Sequence, residues 1–327
     1  MANQPVKLDD VAKEAGVSKT TVSRVLNQRG YLSKTTVAKV QAAMAKLNYR
    51  PNVIARQLYK QETKLVGLIF PTINDPFFSQ LEASLEEELY QRGYKVLLGN
   101  SQNNPAKERN FLRQLLNRQV DGLIVGAHNE EIPEYQQTTL PIVSIEQIAS
   151  KNVPIVSSDN YAGGLLATQR LLDDGCRHII HTNYPENIPT PNHDRRLAYE
   201  HLLREHSMTP ITYHIRFDDP LAKKQAVVER IFAEHPEVDG IFADNDTNAG
   251  IVMNIARRYK RMIPEDLKVI GYDGTKTTRI LLPQLTTVQQ PIEKMAQTAV
   301  ALLYNRMQGE AATSQMLPVK LIDGGTA

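Results

Sequence analysis

Between Lys19 and Asn27 the chain carries Lys19, Thr20, Thr21, Ser23, Arg24 and Asn27 in one short stretch, KTTVSRVLN. Each of these side chains can donate hydrogen bonds to phosphate oxygens or to acceptors on base edges. A guanidinium such as that of Arg24 can grip guanine O6 and N7 together. Val22, Val25 and Leu26 recur among them at the spacing of a buried helix face, so the polar residues fall on the opposite face. The competing reading of these residues is an ordinary helical bundle with a solvated basic surface.

A second set of candidates stands after short apolar runs in the remainder of the chain. PTINDPFFSQ (71–80) places Asn74, Asp75 and Ser79 around the aromatic pair Phe77 and Phe78. An aromatic ring can stack on the apolar face of a sugar while polar neighbours bond its hydroxyls, and one Phe of the pair is expected to serve as core. NSQNN supplies Gln102 and Asn103, amides able both to donate and to accept. Glu146, Asp159-Asn160, Asp244-Asn245-Asp246 and Asp273 follow later runs. Such carboxylates and amides suit a polyol; they also suit helix N-caps, and both roles are expected among them.

The elements that position the first set are written in helix punctuation. LDDVAKEA (8–15) puts Leu8, Val11, Ala12 and Ala15 on one face, with Asp9 and Asp10 in the first turn. Gly16 can take the left-handed conformation that ends a helix. Ser18 stands where the next N-cap belongs, and Ser33 caps a third helix with Val37, Val40, Ala43, Met44 and Leu47 inward. Two helices joined by a tight glycine turn predict a helix-turn-helix. Pro51 ends the third helix, and Asn52 can cap a segment running to about Tyr59. That segment is too short to be helical without outside support.

From residue 64 short apolar runs alternate with helical patterns. The runs are 64–70, 94–100, 120–126, 140–145, 154–159, 178–182, 238–244, 267–273 and 285–290, with a further one near 211–217. This alternation predicts an α/β body of parallel sheets covered on both faces. About ten strands is the upper limit for one compact open sheet, so two similar halves are expected. Ligands of such sheets sit at the carboxyl ends of the strands.

Composition narrows the function. Residues 1–62 hold eleven lysines and arginines against four acids, a net +7, whereas the rest of the chain nets −5. A basic head on an acidic body suits a polyanionic partner. No run of about 18 apolar residues suggests a membrane span, and no signal peptide is recognised, so a cytoplasmic, membrane-free protein is expected. The lone cysteine, Cys176, forms no internal disulfide and is expected as a buried hydrophobe, not a catalytic thiol. No G-x-S-x-G, H-E-x-x-H, dinucleotide fingerprint or phosphate loop is present. His178 and His181 flank Ile179 and Ile180 and make poor metal candidates. No catalytic residue, metal or cofactor is expected. The rivals, a periplasmic sugar carrier and a sugar-processing enzyme with a DNA-binding head, fit the basic head and the missing catalytic motifs less well.

Residues 8–58, LDDVAKEAGVSKTTVSRVLNQRGYLSKTTVAKVQAAMAKLNYRPNVIARQL, closely resemble the headpiece of the lactose/galactose-repressor family. The resemblance implies that Lys19, Thr20 and Arg24 read bases, with Ser18, Thr21, Ser23, Asn27 and Tyr49 at the DNA surface. It also implies that Asn52, Ala55, Arg56 and Leu58 belong to a hinge helix. That helix pairs with its dimer mate in the minor groove, with Leu58 as the wedge. Tyr59-Lys60 departs from the family's smaller residues.

For the body the resemblance implies two lobes like those of periplasmic sugar-binding proteins, with crossings near 159, 290 and 316. The expected domains are a head at 1–50, a hinge at 51–61 and a body at 62–327. Lobe 1 takes about 62–158 and 291–315, and lobe 2 about 159–290 and 316–327. An arginine in HDRRLAYEHLL faces the pocket in the family; Arg195 is the candidate and Arg196 its neighbour, with Ala198 where a glycine is usual. Gln290 falls near the effector, joining Asn74, Asp75, Phe77, Phe78, Ser79, Gln102, Asn103, Glu146, Asn245, Asp246 and Asp273. GYLS, LIFP, NSQNNP, PIVSSDN and IGYDGT are similar to segments of the repressors of sucrose operons. The expected partners are therefore palindromic operator DNA, a second copy of the chain, and sucrose, fructose or a phosphorylated form as effector. Another sugar, or catabolite regulation with a protein co-repressor, is the alternative. LIDGGTA lacks the heptads of a tetramer coil, so a homodimer is expected.

Overall fold

The structure is a computed structural model that describes residues 6–27, 29–50, 62–102, 104–126, 132–137, 139–185, 190, 192–216 and 218–327. Asn52, Ala55, Arg56, Leu58 and Asn103 lie outside the described residues. The chain divides into two compact units, 1–63 and 64–327.

The first unit is built of α1 (Leu8–Ala15), α2 (Lys19–Leu26) and α3 (Lys34–Lys46). Local chemistry sets each boundary. Gly16 ends α1 at φ 63°, a conformation that costs a residue with Cβ more than it costs glycine. The Ser18 hydroxyl accepts the Thr21 N–H at 3.1 Å, and the Ser33 hydroxyl accepts the Thr36 N–H at 3.2 Å. Such caps each contribute about 1 kcal/mol. Val11, Ala12, Ala15, Val22, Val40 and Ala43 are buried together, and Leu8, Val25, Leu26, Met44, Leu47 and Tyr49 close around them.

The second unit holds two sheets. Lobe 1 contains β1 (Leu65–Phe70), α4 (Pro76–Gln91), β2 (Lys95–Asn100), α5 (Pro105–Leu116), β3 (Gly122–Val125), β4 (Ile142–Ile145) and β5 (Ile155–Ser158). The chain then crosses into lobe 2, with α6 (Asn160–Asp173), β6 (Ile179–Asn183), α7 (His193–Glu205), β7 (Ile211–His214), α8 (Leu221–Glu234), β8 (Gly240–Phe242), α9 (Asp246–Arg258), β9 (Lys268–Asp273), α10 (Lys276–Leu281) and β10 (Thr286–Gln289). It returns for α11 (Ile292–Met307) and β11 (Gln315–Leu317), then ends in lobe 2 with β12 (Lys320–Ile322).

The strand orders are β11-β5-β4-β3-β1-β2 and β12-β10-β9-β8-β6-β7. All the pairings of the first sheet are parallel. Each sheet buries an apolar cluster on each face. In lobe 1, Val66, Leu68 and Phe70 meet α4 and α11, while Ile69, Leu123 and Val125 meet Leu112, Leu115 and Tyr135. In lobe 2, Ile241 and Val269 meet α8 and α9, while Phe242, Ile270 and Tyr272 meet Ala167, Leu171 and Tyr199. Full burial of one such aliphatic side chain contributes about 1.5–3 kcal/mol, which explains why the runs are apolar on both faces.

The last crossing follows Leu317, beside the expected position near 316, because Gln315–Leu317 pairs with Val156–Ser158 in the first sheet. One detail differs from the sequence reading. Lys320–Ile322 then pairs antiparallel to β10, so the second sheet is not wholly parallel. Both strands are three residues long and partly exposed, too short to register as apolar runs. Among the described residues, no helix is long and apolar enough to cross a membrane.

Candidate functional site

In the first unit, Lys19, Thr20 and Arg24 are exposed along α2. The Lys19 ammonium lies 3.0 Å from Asp9, but both side chains are more than 60% exposed. Such a pair is worth ~1 kcal/mol or less and leaves Lys19 available to another anion. Thr21, Ser23 and Asn27 were expected to be exposed and are instead half-buried. Thr21 Oγ1 is 2.8 Å from Ser18 Oγ, and Asn27 Nδ2 folds back to donate to the Ser23 carbonyl at 2.9 Å. Tyr49 packs on the helical core. The most accessible donors are thus Lys19, Thr20 and Arg24.

The second unit has a cleft between its lobes, lined by Asp75, Phe77, Phe78, Glu146, Gln147, Tyr184, Asn192, Arg195, Asp244, Asn245, Asp273 and Gln290. Its non-atom space is about 570 Å³, open mouth included.

The lobe 1 wall begins where β1 turns into α4. Asp75 Oδ1 caps this helix, accepting the N–H groups of Phe77 at 3.0 Å and Phe78 at 3.3 Å. Pro76 follows at the first helical position, where its missing N–H costs nothing. Phe77 belongs to the core, whereas Phe78 is half-buried, edge-on to it at 5.3 Å. Burial raises the Asp75 carboxyl above its usual range, against the pull of the two backbone N–H groups.

Glu146 follows β4 at φ 53°, left-handed for a residue with a side chain. Its carboxylate accepts the Ser158 N–H and, at 2.9 Å, the Asn160 amide. It therefore straps the end of β4 to the first crossing. The Ser158 hydroxyl lies 2.8 Å from Glu146 and 2.7 Å from Gln290 Oε1, and Gln290 Nε2 donates to Asp273 Oδ1 at 2.7 Å. Two of the three crossings are joined by this one chain of polar contacts.

Asp273 ends β9 at φ 109°, a strained backbone for any residue but glycine. Burial pushes its carboxyl well above the usual range, and nearby Asp246 adds to the rise. Asp246 itself is raised by burial to about 7 and does not line the cleft. It accepts the Gly274 N–H at 2.8 Å and the Thr287 hydroxyl at 2.6 Å, bracing the turn that carries Asp273.

Arg195, at the start of α7, is almost fully buried. Its Nε donates to Asn160 Oδ1 and its Nη1 to the Asp244 carbonyl, each at 2.7 Å. The guanidinium lies over the Tyr272 ring. Arg196 instead pairs with Glu200 at 2.8 Å, which decides between the two arginines. α6 can lie this close because of Gly164, where a Cβ would stand 2.5 Å from the Arg195 carbonyl oxygen. Asn245 caps α9 through the Asn248 N–H at 2.8 Å and still lines the cleft.

The structure thus brings together Asp75, Phe77, Phe78, Glu146, Arg195, Asn245, Asp273 and Gln290. It places Asn74, Ser79 and Gln102 elsewhere, all exposed. The Ser79 hydroxyl donates to the Ile73 carbonyl at 2.7 Å, the Asn74 N–H donates to Thr72, and the Gln102 amide oxygen accepts from Lys107. Gln147, Tyr184 and Asn192 line the cleft without having been singled out. Gln147 follows Glu146 after β4, and its position was the available signal. Tyr184 and Asn192 flank a proline-rich segment that carries no periodicity. Asp244 was among the carboxylates following apolar runs, though not among the chosen site residues. It accepts from Thr182 at 2.7 Å and Asn248 at 2.8 Å. Among the described residues, no group of His, Cys, Asp and Glu could hold a metal ion. His181 is buried and held neutral, its pKa depressed to about 3 by burial. Cys176 is buried, and burial raises its thiol to about 12.

A helix-turn-helix head and a two-lobed body with a polar cleft, in one chain, define a DNA-binding regulator of the periplasmic-binding-protein type. Residues 7–52 match the model of the bacterial regulatory proteins of the lacI family, and residues 168–327 match that of the periplasmic binding protein-like domain. The chain is 45% identical to the sucrose operon repressor of Pediococcus pentosaceus, over 98% of this chain and 99% of that protein. It is 42% identical to the sucrose operon repressor of Streptococcus mutans, over 97% and 98%. Its fold is similar to that of the lac repressor dimer bound to operator and an anti-inducer, with a TM-score of 0.85, 28% identity and 99% of each chain covered. The chain belongs to the LacI family and is a transcriptional repressor of that family.

Proposed function

We propose that this repressor controls a sucrose-utilisation operon and is released from its operator by a small sugar bound in the interlobe cleft. The observation that carries the reading is the cleft lining: Asp75, Arg195, Asn245, Asp273 and Gln290 around the exposed side of Phe78. Carboxylate and amide acceptors with one guanidinium match vicinal hydroxyls, and the ring offers a face to C–H groups. The full-length similarity to sucrose operon repressors supports sucrose metabolism as the context.

In this reading two copies of the chain bind a palindromic operator. Lys19, Thr20 and Arg24 enter the major groove, and Asn52, Ala55, Arg56 and Leu58 form the hinge in the minor groove. The sugar acts only through its differential affinity for the two body conformations. Operator must then weaken sugar binding by the factor by which sugar weakens operator binding. The contacts joining Glu146, Ser158, Gln290 and Asp273 span two crossings and are where a ligand could bias the lobe angle.

The test is fluorescence anisotropy of a labelled operator from the organism's sucrose operon, titrated with sucrose, fructose and glucose. One of them is expected to lower operator affinity at least tenfold. Operator affinity unchanged by all three at millimolar concentration would reject the reading.

A further inference from the structure

We infer that the cleft selects a sugar without a phosphate group, an inference that rests on the sugar-effector reading above. It comes from counting which polar atoms face the cleft uncommitted, and of which kind. Asp75 uses Oδ1 to cap α4, and among the described residues no hydrogen bond reaches its Oδ2. Asp273 uses Oδ1 for Gln290, and its Oδ2 likewise remains. Gln147 is 5% exposed, and its Oε1 is buried without a hydrogen-bond partner. As placed, all three are acceptor positions, waiting for hydroxyl donors.

On the donor side stand the Tyr184 hydroxyl, the amides of Asn192 and Asn245, and one cation: among the described residues, Arg195 is the single Lys or Arg in the lining. Its Nε and one N–H of Nη1 are already bonded to Asn160 and to the Asp244 carbonyl, so two of its five N–H donors are in use. A bidentate grip on phosphate needs two parallel N–H groups on one edge, and the Nε edge of this guanidinium has one member in use. Lys224 is felt electrostatically at Asp75 and Asp244 but does not line the cleft.

A phosphate monoester carries about −1.5 to −2 charges at pH 7 and offers acceptor oxygens. In this cleft it would meet acceptors with acceptors, among the side chains of Asp75, Glu146, Asp244 and Asp273. A free sugar hydroxyl donates and accepts, so it satisfies both the carboxylates and Arg195. Burial already raises the Asp75, Asp244 and Asp273 carboxyls, and another anion would worsen an environment short of positive charge.

The experiment is calorimetric titration of the full-length protein with sucrose, fructose and glucose, and with sucrose 6-phosphate, fructose 1-phosphate, fructose 6-phosphate and glucose 6-phosphate. The tightest ligand is expected to be an unphosphorylated sugar, with its phosphate esters at least 30-fold weaker. Asp75→Asn keeps the helix cap and removes a charge, and should narrow that ratio about tenfold. A phosphate ester that binds as tightly as its parent sugar would overturn the inference and leave the sugar reading standing. Binding of neither kind at millimolar concentration would overturn both.

Discussion

The guanidinium carbon of Arg195 lies 3.5 Å from the centroid of the Tyr272 ring, inside lobe 2 and against the cleft. A desolvated cation–π contact of this kind is worth about 2 kcal/mol. Two hydrogen bonds, to Asn160 and to the Asp244 carbonyl, fix the plane of the fork. Lysine cannot reproduce a flat, two-edged donor. Arg195→Lys is therefore expected to weaken the tightest sugar at least tenfold and to cost about 2–4 kcal/mol of body stability. Calorimetry and urea unfolding read the two effects. Unchanged sugar affinity in a destabilised protein would make Arg195 a brace for the cleft wall and nothing more.

Asp273 combines a cleft-facing carboxylate with φ 109°. Asp273→Ala should abolish the sugar response while leaving operator affinity intact. Asp273→Gly should be equally blind to sugar but about 1 kcal/mol more stable than Asp273→Ala, since glycine alone is at ease at this φ. Comparison of the two variants by thermal unfolding isolates the backbone term. Equal stability would mean the turn relaxes once the Gln290 contact is lost.

On the head, Arg24 is exposed, and its Nε is 3.4 Å from the Arg29 carbonyl, a weak restraint. Arg24→Ala should cost about 1–3 kcal/mol on the operator and much less on random DNA, if the guanidinium reads a base edge. Equal losses on both, measured at one salt concentration, would assign it to phosphate instead.

His181 stacks on Phe242 at 4.4 Å, bonds the Phe242 carbonyl through Nδ1 at 2.8 Å, and has Nε2 2.9 Å from the Asn183 amide. Its folded pKa is depressed by burial to about 3, from 6.5 when free. Between those values the unfolded chain binds a proton that the folded chain refuses. This contribution is therefore present above pH 6.5 and is lost as pH falls, by at most about 1.4 kcal/mol per pH unit. His181→Gln offers one donor and one acceptor without titrating, so its stability should fall less steeply from pH 6.5 to pH 4. Parallel pH profiles for the two proteins would show that His181 charges in the folded state.

The head was legible in the sequence because its rules are local. Ser18, Ser33 and Gly16 act on backbone groups within a few residues, and the valines and alanines follow one helical period. Strand runs such as LVGLIF were legible because both faces of each sheet are covered, which requires unbroken apolar sequence. QML and KLI lie at sheet edges, where little burial is demanded, and they left no pattern.

The sequence by itself determined the kinds of group available at the strand ends: carboxylates, amides, an aromatic pair and an arginine. Only the tertiary structure decided which of them share the cleft. Asn245 and Asp246 are neighbours, yet one lines the cleft and the other turns inward to hold Gly274 and Thr287. Phe78 and Ser79 are separated in the same way at the start of α4, the first lining the cleft and the second bonded back to Ile73. One residue step rotates a side chain by about 100° around a helix. A step that small moves a group from lining to scaffold, and its direction is set by packing against segments distant in the chain: the Gly274 turn and Thr287 for Asp246, and the returning helix α11 for the start of α4.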